Sequence, residues 1–209
     1  MEKKLTFMKG EEFVQKILSG ERDFSNIELK QDFNLCGYEK FEEMQNYLEN
    51  TNLEENPVIL ENSSFRRLDA DELYLPFLKA NNASFKHAAF MGANLKGSQF
   101  ENANFRYARL AKANMMDSNL KNADLKLADL NLTSLINTTL TEADFSGADL
   151  QYTNMQKADL KGIKNLGLAR FVETTNFQFA DLSEREKSII RKELWAQQGK
   201  KRRLFGGSG

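Results

Sequence analysis

From Ala83 to Gly162 the apolar residues recur at every fifth position without exception. The central residue of each unit is large: Phe85, Phe90, Leu95, Phe100, Phe105, Leu110, Met115, Leu120 and onward through Leu160. Two residues earlier stands a small one, alanine in most units and Ser98, Ser118, Thr133, Thr138 or Thr153 in the others. Between small and large, Asn or Asp dominates, as at Asn94, Asn104, Asp124, Asp129, Asp144, Asp149 and Asp159. A helix would scatter such residues around its circumference, and a flat strand would send alternate ones to opposite faces. A coil with flat five-residue sides instead aims each large residue inward, with the small one beside it near a corner. The remaining positions face water, and Asn or Asp suits the bends by bonding nearby backbone.

These residues resemble the pentapeptide-repeat family, whose unit is commonly written A(D/N)LXX. Ala123-Asp124-Leu125, Ala148-Asp149-Leu150 and Ala158-Asp159-Leu160 are close matches, and sixteen consecutive units carry the likeness. The resemblance implies an all-β fold: a right-handed quadrilateral parallel β-helix, or β-solenoid, with four units (twenty residues) per coil. The right-handed sense agrees with the rule for parallel crossovers. Residues twenty apart would then stack about 4.8 Å apart. One interior column would read Phe65, Phe85, Phe105, Leu125, Phe145.

The register continues backward through Leu60, Phe65, Ala70, Leu75 and Ala80. Forward it slips by one residue to Leu166 and Phe171, then again to Phe177 and Leu182, which predicts bulges at coil corners. The β-helix is therefore expected over 57–182, about six coils and roughly 25–30 Å long. Open solenoid ends need covers. Residues 1–56 are read as an N-terminal cap: a short helix through Phe13, Val14, Ile17 and Leu18, a partial coil at Phe24 and Leu29, and a helical insertion at 39–50. Ser183 and Glu186 form a capping-box pattern that opens a C-terminal capping helix over 183–198. Its stripe of Ile189, Ile190, Leu194 and Trp195 either covers the solenoid or makes a homodimer. The basic run Gly199-Lys200-Lys201-Arg202-Arg203 begins a flexible tail, 199–209, ending in Gly206-Gly207-Ser208-Gly209.

Little in the chain points to catalysis, which needs a nucleophile, acid, base or metal at workable spacing. The single histidine, His87, falls on an outward position, and the single Cys36 reads as a small buried apolar residue. No Cys/His metal spacing and no phosphate-loop or dinucleotide glycine pattern occurs. Asp124 with Asp144, and Asp129 with Asp149, would be neighbours one coil apart, close enough to couple. The repeat itself supplies these carboxylates, and Arg109 above Asp129 offers charge relief. Catalytic, cofactor and metal residues are accordingly all given as none, and the chain is read as not an enzyme. Only the insertion between Phe33 and Pro57 offers room for a small-molecule pocket.

Charge shapes the functional expectation. The net charge of −1 divides into fourteen acidic and seven basic side chains over 1–62, against five and ten over 163–209. The clearest repeats, 83–162, sum to +1. No run approaches a membrane span, the N-terminus lacks a secretory h-region, and one cysteine makes no intrachain disulfide, so a cytoplasmic address without a membrane is expected. The expected function is a non-enzymatic scaffold, a protein–protein interaction module of unknown partner. The alternative implied by the resemblance is a DNA mimic that modulates a type II topoisomerase. Such a mimic needs a rod of negative charge, and the balanced repeats disfavour it, as they disfavour nucleic acid as a partner.

Overall fold

The computed structural model of the chain describes residues 4–30 and 32–205, of which 197–205 are described by backbone alone. Each five-residue unit makes one flat side and one corner, and the unit Ala103–Tyr107 shows how its amides are satisfied. Ala103 N–H closes the preceding turn on Phe100 O (3.0 Å), and Asn104 N–H reaches back one coil to Ala83 O (2.9 Å). Phe105 N–H and Tyr107 N–H reach forward to Asp124 O and Lys126 O (2.8 and 3.0 Å). That leaves the Arg106 amide, which donates to the side chain of Asn104 at 3.0 Å. The same bond recurs from Lys126 to Asp124, Asn131 to Asp129, Ser146 to Asp144 and Gln151 to Asp149. Asn and Asp therefore stand mid-side rather than at the bends, and serve the one corner amide the ladder leaves open.

Stacked sides form four walls of parallel bridges. Wall 1 runs Ser64, Ser84, Asn104, Asp124, Asp144, Lys164, and wall 2 runs Asp69, Ala89, Arg109, Asp129, Asp149, Arg170. Wall 3 passes from Tyr74 to Asn176 and wall 4 from Ile59 to Asp181. The fold is a β-solenoid, although among the described residues its only continuous strands are β1 (Thr6–Met8) and β2 (Ile27–Leu29). A side of five residues has space for one bridged residue flanked by two inward ones, so the sheets are built of single bridges. The large inward residues are fully buried from Leu95 through Leu160, with almost no exposed surface. The aromatic column stacks, Phe65 on Phe85 at 6.1 Å and Phe85 on Phe105 at 5.1 Å between ring centres. Where threonine replaces alanine, its hydroxyl bonds a carbonyl of the preceding coil, as Thr133 does to Leu110 (2.7 Å) and Thr153 to Leu130 (2.8 Å).

Wall 2 becomes 21 residues apart from Asp149 to Arg170, and wall 3 becomes 22 apart from Asn154 to Asn176. The extra residues are held in 3₁₀ turns, Leu166–Leu168 and Val172–Thr174, each entered through a left-handed residue, Asn165 or Phe171. These tightened corners, which hold the added residues, stand where bulges at coil corners were expected. Val172 fills the interior at the second one, and Phe171, expected inward, is 40% exposed.

At the N-terminal end β1 pairs parallel with β2, and Asp23, Glu28 and Asn34 bridge to Ile59, Ser64 and Asp69. Helix α1 (Gly10–Leu18) lays Phe13 edge-on to Phe24 and Phe65, at 4.8 and 5.4 Å. Helix α2 (Phe41–Glu49) buries Phe41, Met44 and Leu48. Its Gln45 amide donates to Glu72 O (2.9 Å) and accepts from Tyr74 N–H (3.1 Å), so one side chain does for the top of wall 3 what a neighbouring strand would do. Helix α3 (Glu184–Phe205) opens with the Glu186 carboxylate accepting from Ser183 N–H at 2.9 Å and from the Ser183 hydroxyl. Ile189 and Ile190 pack toward the solenoid, while Leu194 and Trp195 are exposed. The helix continues past residue 198, so the basic run 199–203 is helical backbone; its side chains, and residues 206–209, lie outside the described residues.

Candidate binding face

At each corner the second residue is left-handed, with φ near +60°, from Asn62 through Gly162. Glycine and asparagine suit that conformation; bulky side chains there are genuine outliers. One corner column obeys the rule, Asn62, Asn82, Asn102, Asn122, with side-chain amides linked at 3.2 and 3.0 Å across the first three. Bulky apolar residues break it in other columns: Phe77 and the exposed Phe179 between walls 3 and 4, and a denser set on either side of wall 2. Between walls 1 and 2 stand Tyr107 and Leu127, with Leu168 at the same corner of the last coil. Between walls 2 and 3 stand Leu132, Tyr152 and Phe171. All six are exposed, Leu132 by 50%, Tyr152 by 58% and Leu168 by 64%. Each of the left-handed ones is thus unfavourable twice, in backbone conformation and in solvent contact.

These two apolar rails enclose the C-terminal half of wall 2. At its foot Arg170 Nη2 grips Asp149 Oδ2 at 2.7 Å, with the guanidinium 5.9 Å from the Phe171 ring centre. Above it Asp129 accepts one hydrogen bond, from its own corner amide, and makes no ion pair among the described residues. The rail between walls 1 and 2 is interrupted at Gly147, over which Leu127 leans; a side-chain carbon at 147 would lie 2.7 Å from Leu127 Cδ2. A depression of about 300 Å³ opens there, lined by Leu127, Ala128, Asp129, Gly147, Asp149 and Leu168 with Arg170.

The residues weighed for chemistry are dispersed. Asp124 and Asp144 are column neighbours, yet Lys126 lies between them (3.8 and 3.0 Å) and Arg106 also reaches Asp124 (3.7 Å). Burial pushes the Asp144 carboxyl up, but hydrogen bonds from Asn165, Ser146 and Lys126 outweigh it and hold the group below its ordinary range. Each carboxylate is thus held by a cation rather than by the other. Arg109 does not relieve Asp129: it turns to Asp71, at 2.8 Å. His87 is exposed and stacks on Tyr107, ring centres 4.7 Å apart. Desolvation and then the charges of Lys86, Arg67 and Arg66 push its imidazole down. Cys36 is half-buried rather than buried, its Sγ donating to Asn34 Oδ1 at 3.3 Å, because the partial coil covers that side chain on one side only. Where α1 and α2 meet the first coils, the interior void lined by Phe13, Met44, Leu48 and Phe65 measures about 20 Å³, far below the roughly 300 Å³ of the smallest ligand pockets. Among the described residues no His, Cys, Asp or Glu group is placed to hold a metal, and no helix is long and apolar enough to cross a membrane.

The family model described as "Pentapeptide repeats (8 copies)" matches residues 77–106, 98–135 and 128–164. Residues 77–164 of the chain are thus pentapeptide repeats. Among solved structures it is similar to Rfr23 of the cyanobacterium Cyanothece 51142, at 21% identity over 60% of this chain and 95% of that one, with a TM-score of 0.44. A pentapeptide repeat protein of the Arabidopsis thaliana thylakoid lumen matches at 22% identity over 59% and 74% of the two chains, TM-score 0.34. QnrB1, a plasmid-mediated fluoroquinolone resistance protein, in a trypsin-treated form, matches at 17% identity over 65% and 87%, TM-score 0.36. No curated protein sequence matches the chain.

The period alone does not reveal the rails, because it concerns inward positions. Their signal is nonetheless present in the sequence: Tyr107, Leu127, Leu132 and Tyr152 occupy a repeat position where Asn82, Asn102, Asn122 and Asn137 show what the corner prefers.

Proposed function

We propose that this pentapeptide-repeat protein is a non-enzymatic scaffold, a right-handed coil capped by α1 and α2 at one end and α3 at the other, that binds a partner protein through wall 2. The observation carrying the reading is the pair of exposed apolar rails, built from residues that suit neither their backbone conformation nor water. Local rules broken without internal gain mark functional positions, and contiguous exposed apolar surface marks protein interaction sites. A cytoplasmic address is supported by the lone free cysteine. The duplex-mimic alternative calls for rows of unneutralised carboxylates, whereas Asp124, Asp144 and Asp149 are each ion-paired. Site-specific photocrosslinking tests the proposal. A photoreactive residue at Leu132 should capture a discrete protein in cells of the native host, and the same residue at Asn122, on the asparagine corner, should not. Equal capture at both positions, or none at Leu132, would reject it.

We also propose a second copy of the chain as the partner of the outer stripe of α3. Support comes from Trp195, which is 77% exposed beside Leu194 while Ile189 and Ile190 are already engaged by their own solenoid.

A further inference from the structure

We propose that the depression at Gly147 receives a lysine or arginine side chain from a partner segment whose flanking residues are apolar. The inference rests on wall 2 being the docking face and assigns the chemistry of its occupant. Leu127 and Leu168 give the depression hydrocarbon sides, and Asp129 lines it together with the Asp149–Arg170 pair. The cations named on and beside wall 2 are paired with other carboxylates. Arg109 holds Asp71, Lys126 holds Asp144 and Asp124, and Arg170 holds Asp149. Asp129 alone is left with a single hydrogen bond from the Asn131 amide at 3.0 Å, between two apolar rails. An occupant that lies on the rails excludes water from this carboxylate, and an unpaired desolvated charge is costly. A cationic head offsets that cost most fully, by pairing the charge as well as hydrogen-bonding it. Lys and Arg carry such a head on an aliphatic stem, which matches hydrocarbon sides beside a carboxylate. Leu127, leaning over Gly147, forms one lip of the depression along which the stem lies.

The rails on either side bound the rest of the segment. With Leu132, Tyr152 and Phe171 along one edge and Leu127 and Leu168 along the other, residues flanking the cation meet apolar surface in both directions. An acidic or wholly polar segment finds no complement there. A wholly apolar one leaves Asp129 buried without a partner.

A random dodecapeptide display library panned on the full chain tests this, with clones sorted by loss of binding to the Leu127→Asn/Tyr152→Asn variant. Asparagine is at home in left-handed corners, so that variant keeps the fold while deleting rail surface. Enriched face-dependent peptides should carry a Lys or Arg flanked by apolar residues. Their affinity should fall at least tenfold on Asp129→Asn and should weaken steeply with added salt. Face-dependent peptides that lack a cation, or that bind Asp129→Asn as tightly as the parent, would overturn the assigned chemistry and leave the docking face standing. If no selected peptide is sensitive to Leu127→Asn/Tyr152→Asn, the docking face itself is refuted. Circular dichroism and urea unfolding of each variant separate lost binding from lost fold.

Discussion

Arg109 and Asp129 are bridge partners on wall 2, yet the guanidinium turns from the carboxylate and binds Asp71 at 2.8 Å. Asp71, 17% exposed at its side chain, accepts the Met91 amide on Oδ1 at 2.7 Å and the guanidinium on Oδ2, so both of its oxygens are engaged. The wall carries an Arg–Asp–Asp–Arg column whose outer members are satisfied and whose upper carboxylate is not.

The first prediction follows for stability. Asp129→Asn keeps the bond to the Asn131 amide and removes no ion pair, so unfolding free energy should change by less than about 0.5 kcal/mol. Urea denaturation at neutral pH checks it, and a loss above about 1 kcal/mol would mean that Asp129 has an internal role after all.

The core behaves oppositely. Leu130 is completely buried in its column, with copies of the same side above and below. Leu130→Ala should cost about 2–5 kcal/mol, because stacked bridges hold the coils apart and prevent collapse into the cavity. Thermal and urea unfolding would read it. A cost below about 1 kcal/mol is incompatible with an inward Leu130.

Rail residues should give a third pattern. A left-handed L-residue costs roughly 1–2 kcal/mol, and asparagine lowers that cost, as the Asn62–Asn122 column illustrates. Leu127→Asn, Leu132→Asn and Tyr152→Asn should leave stability unchanged or raise it by up to about 1 kcal/mol each. Marked destabilisation of all three, measured by urea midpoint, would assign the rails to folding instead of binding.

What was legible in the sequence divides along a physical line. Phe85, Phe105 and Leu130 declare themselves because the interior imposes one requirement per five residues, and a single period captures it. The backbone slips near Leu166 and Phe171 were visible as offsets, but the choice between a bulge and a 3₁₀ corner depends on which residue turns inward, and Val172 won that place. Arg109 with Asp71 spans 38 residues diagonally across coils, a contact set by side-chain reach rather than register. Gln45 standing in for a strand at Tyr74 depends on where α2 lands, which no periodicity encodes. The candidate face was half-legible: the rail residues break a corner preference that appears only once the corners are known to be left-handed.

Acid sensitivity supplies a fourth prediction. Asp144 is held below its ordinary range in the fold. Its contribution is therefore present above the unfolded carboxyl pKa, near 4, and is lost as pH falls through the lower folded value. Asp144→Asn removes the Lys126 contact at 3.0 Å and should cost about 1 kcal/mol at pH 7. Urea midpoints of parent and variant should converge as pH is taken from 5 toward 2. A gap that stays constant over that interval would place the source of the stabilisation elsewhere.

The C-terminal helix separates two roles along its length. A side-chain carbon on Gly167 would touch Ile189 Cγ2 at 3.6 Å, so Ile189 already closes on the Leu166–Leu168 corner of its own solenoid. Trp195, one and a half turns later, has no such floor and is 77% exposed. Ile189→Glu should lower thermal stability in any oligomeric state, because it puts a charge against an apolar end. Trp195→Glu should leave unfolding unchanged within about 0.5 kcal/mol and act only on association. Light scattering of the parent should then give about twice the 23.9 kDa chain mass, and the Trp195→Glu variant the mass of one chain. A parent that scatters as a single chain across the micromolar range would remove the second copy as the partner of that helix.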